Sequence, residues 1–330
     1  MKSEKIFVFW MALISVLLVT TTLVRADQTE KLIEILLEKG VVTSEEAKEL
    51  EAEMKEDSPE EAKAEASSGD DWTDKVEIGY KKGAYIKTED DKYSLKLNVR
   101  VQGLYAYQGR EDREDTSTFR VRRARILASG NVVYPWMKYG TQITLEGGSA
   151  SLRDAWIESA YFDYAKMRLG QYKVPFDREF LTSAFSLQLI DRSIANAEFS
   201  LQRDIGLQSA GNFFQDQFSY AVGIFNGSDA TQSNQNKDFM YVGRMVYTPF
   251  GSYPYSQGAL DTPEKMKLAI GLAGAYLPSL EPGERDSLAG RLGNTNIVSV
   301  NSDVYELTAD VAFKFQNISF EGGYYFRNID

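Results

Sequence analysis

The sequence predicts an all-β fold: a transmembrane antiparallel β-barrel preceded by a short α-helical segment. Three observations predict it. From about residue 75 onward, apolar and polar residues alternate in long runs rich in aromatics. The connectors between those runs alternate in length, short on one side and long on the other, the habit of outer-membrane barrels. After the N-terminal leader no apolar run approaches the ~18 residues that a membrane-spanning helix needs.

The chain opens with MKSEKIFVFWMALISVLLVTTTLVRA. Lys2 and Lys5 supply a positive start, Ile6 to Val19 form a short apolar run, and Val24-Arg25-Ala26 offers a cleavage site before Asp27. These are the parts of a signal peptide over residues 1–26, which places the mature protein outside the cytoplasm. Residues 27–56 read as an acidic helical hairpin or coiled-coil segment. Leu32, Ile33, Leu36 and Leu37 have helical spacing, Gly40 is a natural stop, and Thr43 with Glu46 forms a capping box. Residues 57–74, with Pro59, Ser67, Ser68 and Gly69, read as a polar linker.

Residues 75–330 carry the barrel pattern. Tyr93, Leu95, Leu97, Val99, Val101, Tyr105 and Tyr107 share one face of the first long strand, while Ser94, Lys96, Asn98, Arg100 and Gln102 share the other. Similar runs follow at 119–132, 137–146, 153–162, 167–177, 204–214, 218–226, 239–249, 265–277, 303–316 and 318–327, about eleven strands in all. The long connectors are 108–118, 178–203, 227–238 and 278–302, and the 250–264 connector is long where a short turn is expected. Tyr134, Trp136, Tyr161, Phe162, Phe213, Phe214, Tyr247 and Phe250 gather near strand ends, as interfacial girdles require.

Composition removes several chemistries. The chain has no cysteine and no histidine, so thiolate nucleophiles, Ser-His-Asp arrangements and the usual zinc ligands are excluded. No phosphate-cradling glycine loop or calcium loop is present, no cofactor or metal is expected, and the reading is not an enzyme. Residues 1–74 hold 8 Lys+Arg against 18 Asp+Glu, a net charge of −10, whereas residues 75–330 hold 29 against 30. The acidity therefore belongs to the N-terminal segment, and arginine clusters in the barrel are local features.

The densest cluster is FRVRRARILASG at 119–130. Strict alternation puts Ala124, Ile126 and Ala128 on one face and Arg123 and Arg125 on the other. If the apolar face meets lipid, Arg123 and Arg125 face a watery lumen, joined by Arg100 from the preceding strand. Arg120 and Arg122 take the lipid parity at the loop end, where they stand above the hydrocarbon. An arginine facing lipid at the midplane costs about 2–4 kcal/mol, so this register is strongly specified. Two readings of the lumen arginines stand side by side. They attract and pass anions, or inward carboxylates such as Asp154 and Glu158 neutralise them and the wall selects nothing.

Several stretches in order resemble the phosphate-selective porins O and P: KGAYIKTEDDKYSLKLNVRVQGLY, FRVRRARILASG, SLRDAWIESAY, MRLGQYKVPFDREFLTS, IDRS, QRDIGLQ and FMYVGRMVYTPFG. The resemblance implies a homotrimeric, sixteen-stranded outer-membrane porin whose third loop folds into the pore. Residues 178–203 suit that loop by length, with Arg178, Arg192 and Arg203 on the loop and its base and Lys173 on the strand feeding it. Ordinary salt bridging of these arginines with Asp177, Asp191 and Asp204 is the competing reading. Arg244, in the last of the quoted stretches, joins the pore-lining set. Since eleven strands are too few and odd, and the chain stops at EGGYYFRNID, the barrel is expected to lack its last strands.

The functional expectation is an outer-membrane channel for passive diffusion of small hydrophilic solutes, with a modest preference for anions, phosphate among them. Its partners are those solutes, outer-membrane lipid and further copies of itself, with no role for nucleic acid. A second expectation is structural: the acidic periplasmic helices contact the cell wall and the barrel is their anchor.

Overall fold

A computed structural model of the chain describes residues 76–234, 236–260, 263–280 and 302–330. The leader, helical segment and linker expected over residues 1–74 lie outside these. The strands are β1 (Val76–Tyr80), β2 (Ala84–Thr88), β3 (Ser94–Gln108), β4 (Thr116–Val132), β5 (Tyr134–Thr144), β6 (Ser151–Phe162), β7 (Ala165–Lys173), β8 (Arg203–Phe213), β9 (Phe218–Phe225), β10 (Met240–Tyr247), β11 (Lys267–Leu280), β12 (Ser302–Phe315) and β13 (Ile318–Ile329). They form one antiparallel sheet in strict sequence order. Thirteen strands are thus described, against about eleven expected from alternation and sixteen implied by the resemblance. β3 to β13 correspond one to one with the eleven runs, whereas β1 and β2, five residues each, are too short to announce themselves by alternation.

The two faces of the sheet differ in chemistry. On β3, Leu97, Val99, Val101, Tyr105 and Tyr107 are exposed, and on β10 to β12 so are Tyr241, Met245, Ile270, Leu272, Tyr305 and Leu307. The opposite positions, Val242, Arg244, Ala273, Glu306, Thr308 and Asp310, are buried. An apolar outer face over a polar, charged inner face is the inversion that a lipid-facing barrel requires. Rings gather at both rims of the outer face. Tyr134 stacks on Trp136 at 5.0 Å, Trp136 meets Tyr161 edge-on at 5.5 Å, and Tyr161 meets Phe162 at 4.7 Å on the short-turn side. Tyr241, Tyr276 and Tyr305 form a stacked ladder on the long-loop side.

Curvature follows from the segment between β7 and β8, residues 174–202. It contains two short helices, α1 (Arg178–Leu181) and α2 (Ile194–Phe199). Asp177 caps α1 by accepting from the Glu179 and Phe180 amides, and Ser193 caps α2 by accepting from Asn196 N. One side of this segment lies along the inner face of β13. Tyr325 Oη donates to Asp177 at 2.5 Å, Gln188 Nε2 to Ser319 at 3.2 Å, and Arg327 Nη1 to Glu198 at 3.2 Å. Its other side reaches β3 and β4 through Ser183 and Asp191. Strands that stand nine places apart in the order touch the same segment, so the sheet curls around it and residues 174–202 sit inside.

The space between this segment and β8 to β13 is filled. Tyr172, Val174, Phe176, Leu201, Phe225, Met240, Val242, Leu277 and Val304 pack into one cluster there. The inner face of β3 to β5 is different: Asn98, Arg100 and Gln102 remain partly open to solvent. Water therefore reaches the inner wall on the β3–β6 side.

Candidate functional site: an arginine wall facing an inserted segment

The four arginines of FRVRRARILASG are arranged by a β-bulge. Gln102 pairs with Arg123 and Gly103 with Val121, which leaves Arg122 as the extra residue of β4. The insertion shifts the alternation by one. Phe119, 84% exposed, and Val121 fall opposite Tyr105 and Gly103 on the outer face. Arg120 falls opposite Leu104, on the inner parity, and Arg122 turns inward to Asp191. The expectation that Arg120 and Arg122 share the lipid parity is thereby corrected. One bulge removes all four guanidinium groups from the hydrocarbon face.

β6 repeats the device. Gln142 pairs with Asp154 and Ile143 with Leu152, so Arg153 is the extra residue. It lies among Arg125, Arg203, Glu146 and Asp154. Its Nε is buried without a hydrogen-bond partner among the described residues. Sequence reasoning missed Arg153 because strict alternation assigns it to the outer face.

The wall arginines have unequal partners. Arg125 Nε meets Glu146 at 3.2 Å, and Arg203 forks onto Asp154 at 2.9 and 3.2 Å, the two-bond geometry of strong guanidinium–carboxylate pairs. Glu158 is taken by Arg168, whose guanidinium also covers the Trp156 ring at 4.1 Å. Arg123 donates to Gln102 at 2.6 Å and to Asp191 at 2.9 Å, sharing that carboxylate with Arg122. Arg100 donates only to Ser183 Oγ, at 3.3 Å, and has no carboxylate within ion-pair distance among the described residues. The Arg100 and Arg125 guanidinium groups lie 5.5 and 5.7 Å from the Phe185 ring; Arg100 stays partly open to solvent, whereas Arg125 is 10% exposed and bound to Glu146.

Four expected pore-lining residues serve the inserted segment instead. Lys173 Nζ donates to the carbonyls of Phe180, Leu181 and Thr182 at 2.7, 2.8 and 3.1 Å. Arg192 donates to those of Glu179, Phe180 and Thr182 at 3.0, 3.3 and 2.8 Å. Together they satisfy the carbonyls that a helix C-terminus leaves open. Arg178 is buried against Tyr253 and Tyr255, with Glu321 at 3.5 Å and the Pro254 carbonyl at 3.3 Å. Arg244 is held by Asp310 at 2.6 Å and the Phe176 carbonyl at 2.7 Å, with side chains 3% and 5% exposed. These contacts bury Arg178 and Arg244, while Lys173 and Arg192 are bound to carbonyls and stay partly open to solvent. The alternative pairing with Asp177, Asp191 and Asp204 is not the one formed either. Asp177 caps α1, Asp191 binds the wall, and Asp204 accepts from the Ile205 and Gly227 amides.

Electrostatics within the segment follow from burial. Burial pushes the Asp177 carboxyl up, against the opposing pull of Tyr325 and the Phe180 amide. Burial and the nearby Arg203 bring Arg192 down to about 10, so it stays charged at neutral pH. Burial tends to raise Asp191, but Arg122 and Arg123 outweigh it and hold its carboxyl below the usual aspartate range.

A curled antiparallel sheet with an apolar exterior, a charged interior and an inserted segment beside a wet wall defines a β-barrel channel of the outer membrane, through which solutes diffuse. The chain belongs to the family of phosphate-selective porins O and P, whose family model matches residues 92–268. Among solved structures, OmpTdeltaL8 is similar to it. That protein is a loop L8 deletion mutant of OmpT, an outer membrane protein of Vibrio cholerae. The two are 11% identical with a TM-score of 0.25, over 72% of this chain and 95% of that one. No curated protein matches the chain.

Proposed function

We propose that this porin passes small hydrophilic solutes with a modest preference for anions, inorganic phosphate among them. One observation carries the reading: on the solvent-reachable inner wall, guanidinium groups outnumber the carboxylates that could cancel them. Among the described residues Arg100 has no acidic partner, Arg153 adds a guanidinium whose buried Nε has no hydrogen-bond partner, and Arg122 and Arg123 share one carboxylate. Fixed positive charge in a narrow channel raises the local anion concentration, and forked N–H groups suit oxyanions. The opposing charges of Glu146 and Asp154 keep the preference modest.

Reversal potentials across a potassium chloride gradient test this on the purified full-length protein. The pore prefers chloride, and Arg100→Gln with Arg125→Gln weakens the preference, most clearly in dilute salt where the Debye length exceeds about 10 Å. A cation-preferring pore would refute the reading. The same proposal has three copies assembling side by side in outer-membrane lipid, which cross-linking in native membranes checks. The tether reading concerns residues 27–74, outside those described.

A further inference from the structure

Among the described residues, Asp191 is the carboxylate of the 174–202 segment that pairs with the β4 arginines. Its neighbours on either side are fixed elsewhere. Gln188 N donates to Gln257 Oε1 at 2.9 Å, and Gln188 Nε2 donates to Ser319 Oγ at 3.2 Å. Arg192 is tied to the three carbonyls already described. Between these anchors, residues 189–191 make no hydrogen bond among the described residues except through the Asp191 carboxylate. Leu189 and Ile190 are exposed, and the Asp191 side chain itself is 53% exposed. The carboxylate can therefore leave the wall without breaking any other bond of its own stretch. Both of the guanidinium groups it occupies would then present N–H donors to the water path.

We propose that Asp191 is a tethered competitor. Its carboxylate holds the Arg122–Arg123 pair in place of a solute oxyanion, and passing carboxylates or phosphates must displace it. Asp191 thereby sets how strongly the pore favours anions. The inference rests on the anion-channel reading and adds the residue that limits it. Asp191 is the exposed partner, at 53% against 32% for Arg122 and 4% for Arg123, so salt and free oxyanions reach the contact from its side. A solute's apparent affinity falls by the fraction of time the pair is free.

The test is a double-mutant cycle on the full-length porin in planar bilayers, with chloride and inorganic phosphate as probes. Asp191→Asn is expected to raise the anion-to-cation permeability ratio about threefold and to lower the half-saturating phosphate concentration by a similar factor. Asp191→Glu should stay near the wild type. In an Arg122→Gln, Arg123→Gln background, Asp191→Asn should change neither quantity, because the competitor has lost its site. Equal shifts with and without the arginines would overturn the proposal and make Asp191 an ordinary fixed charge. Heat-modifiable gel migration of each purified variant, the same as that of the wild type, shows that it is folded. A cation-preferring wild type would defeat the anion-channel reading. Non-additivity in the cycle would still report on the Asp191 contact itself.

Discussion

Gly271 offers a sharp test of how the inserted segment is held. It pairs with Asp310 across β11 and β12, on the inner face. A Cβ placed there would lie 2.5 Å from Arg244 Nη2 and 2.6 Å from both Asp310 carboxylate oxygens. Those distances cannot be sustained, so Gly271→Ala must displace the buried pair. Arg244 also donates to the Phe176 carbonyl at 2.7 Å, so its displacement loosens the entry to the segment as well. Breaking a buried ion pair costs about 3–5 kcal/mol. The atoms that must yield are the ends of flexible side chains, so the pair can re-form displaced, and we expect less than that, about 1–3 kcal/mol. Urea unfolding in detergent micelles, followed by tryptophan fluorescence, measures it as a lowered midpoint. Current noise in bilayers should rise in parallel as the segment loosens. Asp310→Ala should cost more than Gly271→Ala, about 3–5 kcal/mol, since it leaves Arg244 buried without its carboxylate. If Gly271→Ala unfolds within about 0.5 kcal/mol of the wild type, the pair is not an anchor.

The bulge in β4 predicts that single cysteines at 120 and 122 react with a water-soluble thiol reagent through the pore while those at 119 and 121 do not; the reverse pattern would refute the register. Lys173→Met leaves the Leu181 carbonyl without its donor, since Arg192 still reaches those of Phe180 and Thr182; this costs about 1–3 kcal/mol and should raise hydrogen exchange in α1 while changing selectivity less than the Arg100, Arg125 pair does. Asp191 has a folded pKa below its ordinary 3.8, so its contact is fully present above that value and is lost only as pH falls through the depressed one. The Asp191-dependent part of the anion preference should therefore be flat down to about pH 5 and rise in stronger acid, a rise absent in Asp191→Asn.

Much of the fold was legible in the sequence because a lipid-facing barrel imposes a two-residue period on every strand. Tyr93 to Tyr107 and 303–316 display that period openly, and β3 and β12 stand where it places them. The site was less legible. Alternation carried Arg123 and Arg125 to the correct side, yet a single inserted residue reverses the count beyond it, and nothing in RVRRAR marks Arg122 as the insertion. Arg153 was missed for the same reason. Lys173, Arg178, Arg192 and Arg244 are cations in a porin, but only tertiary contacts reveal that carbonyls, rings and Asp310 already occupy them. Asp191 was visible as a loop acid. Its partners, 68 and 69 positions away in the chain, were not.

The seating of residues 174–202 against β13 also dictates a chronology. Tyr325 and Asp177 are separated by 148 positions, Gln188 and Ser319 by 131, Arg327 and Glu198 by 129. Contacts so remote in sequence form late, after intervening hairpins have closed their short loops. The wall must be assembled through β13 before this side of the segment finds its partners. The protein is therefore born as a wider tube and narrows itself last, and any obstacle to placing β13 should yield a leaky pore before it yields an unfolded chain.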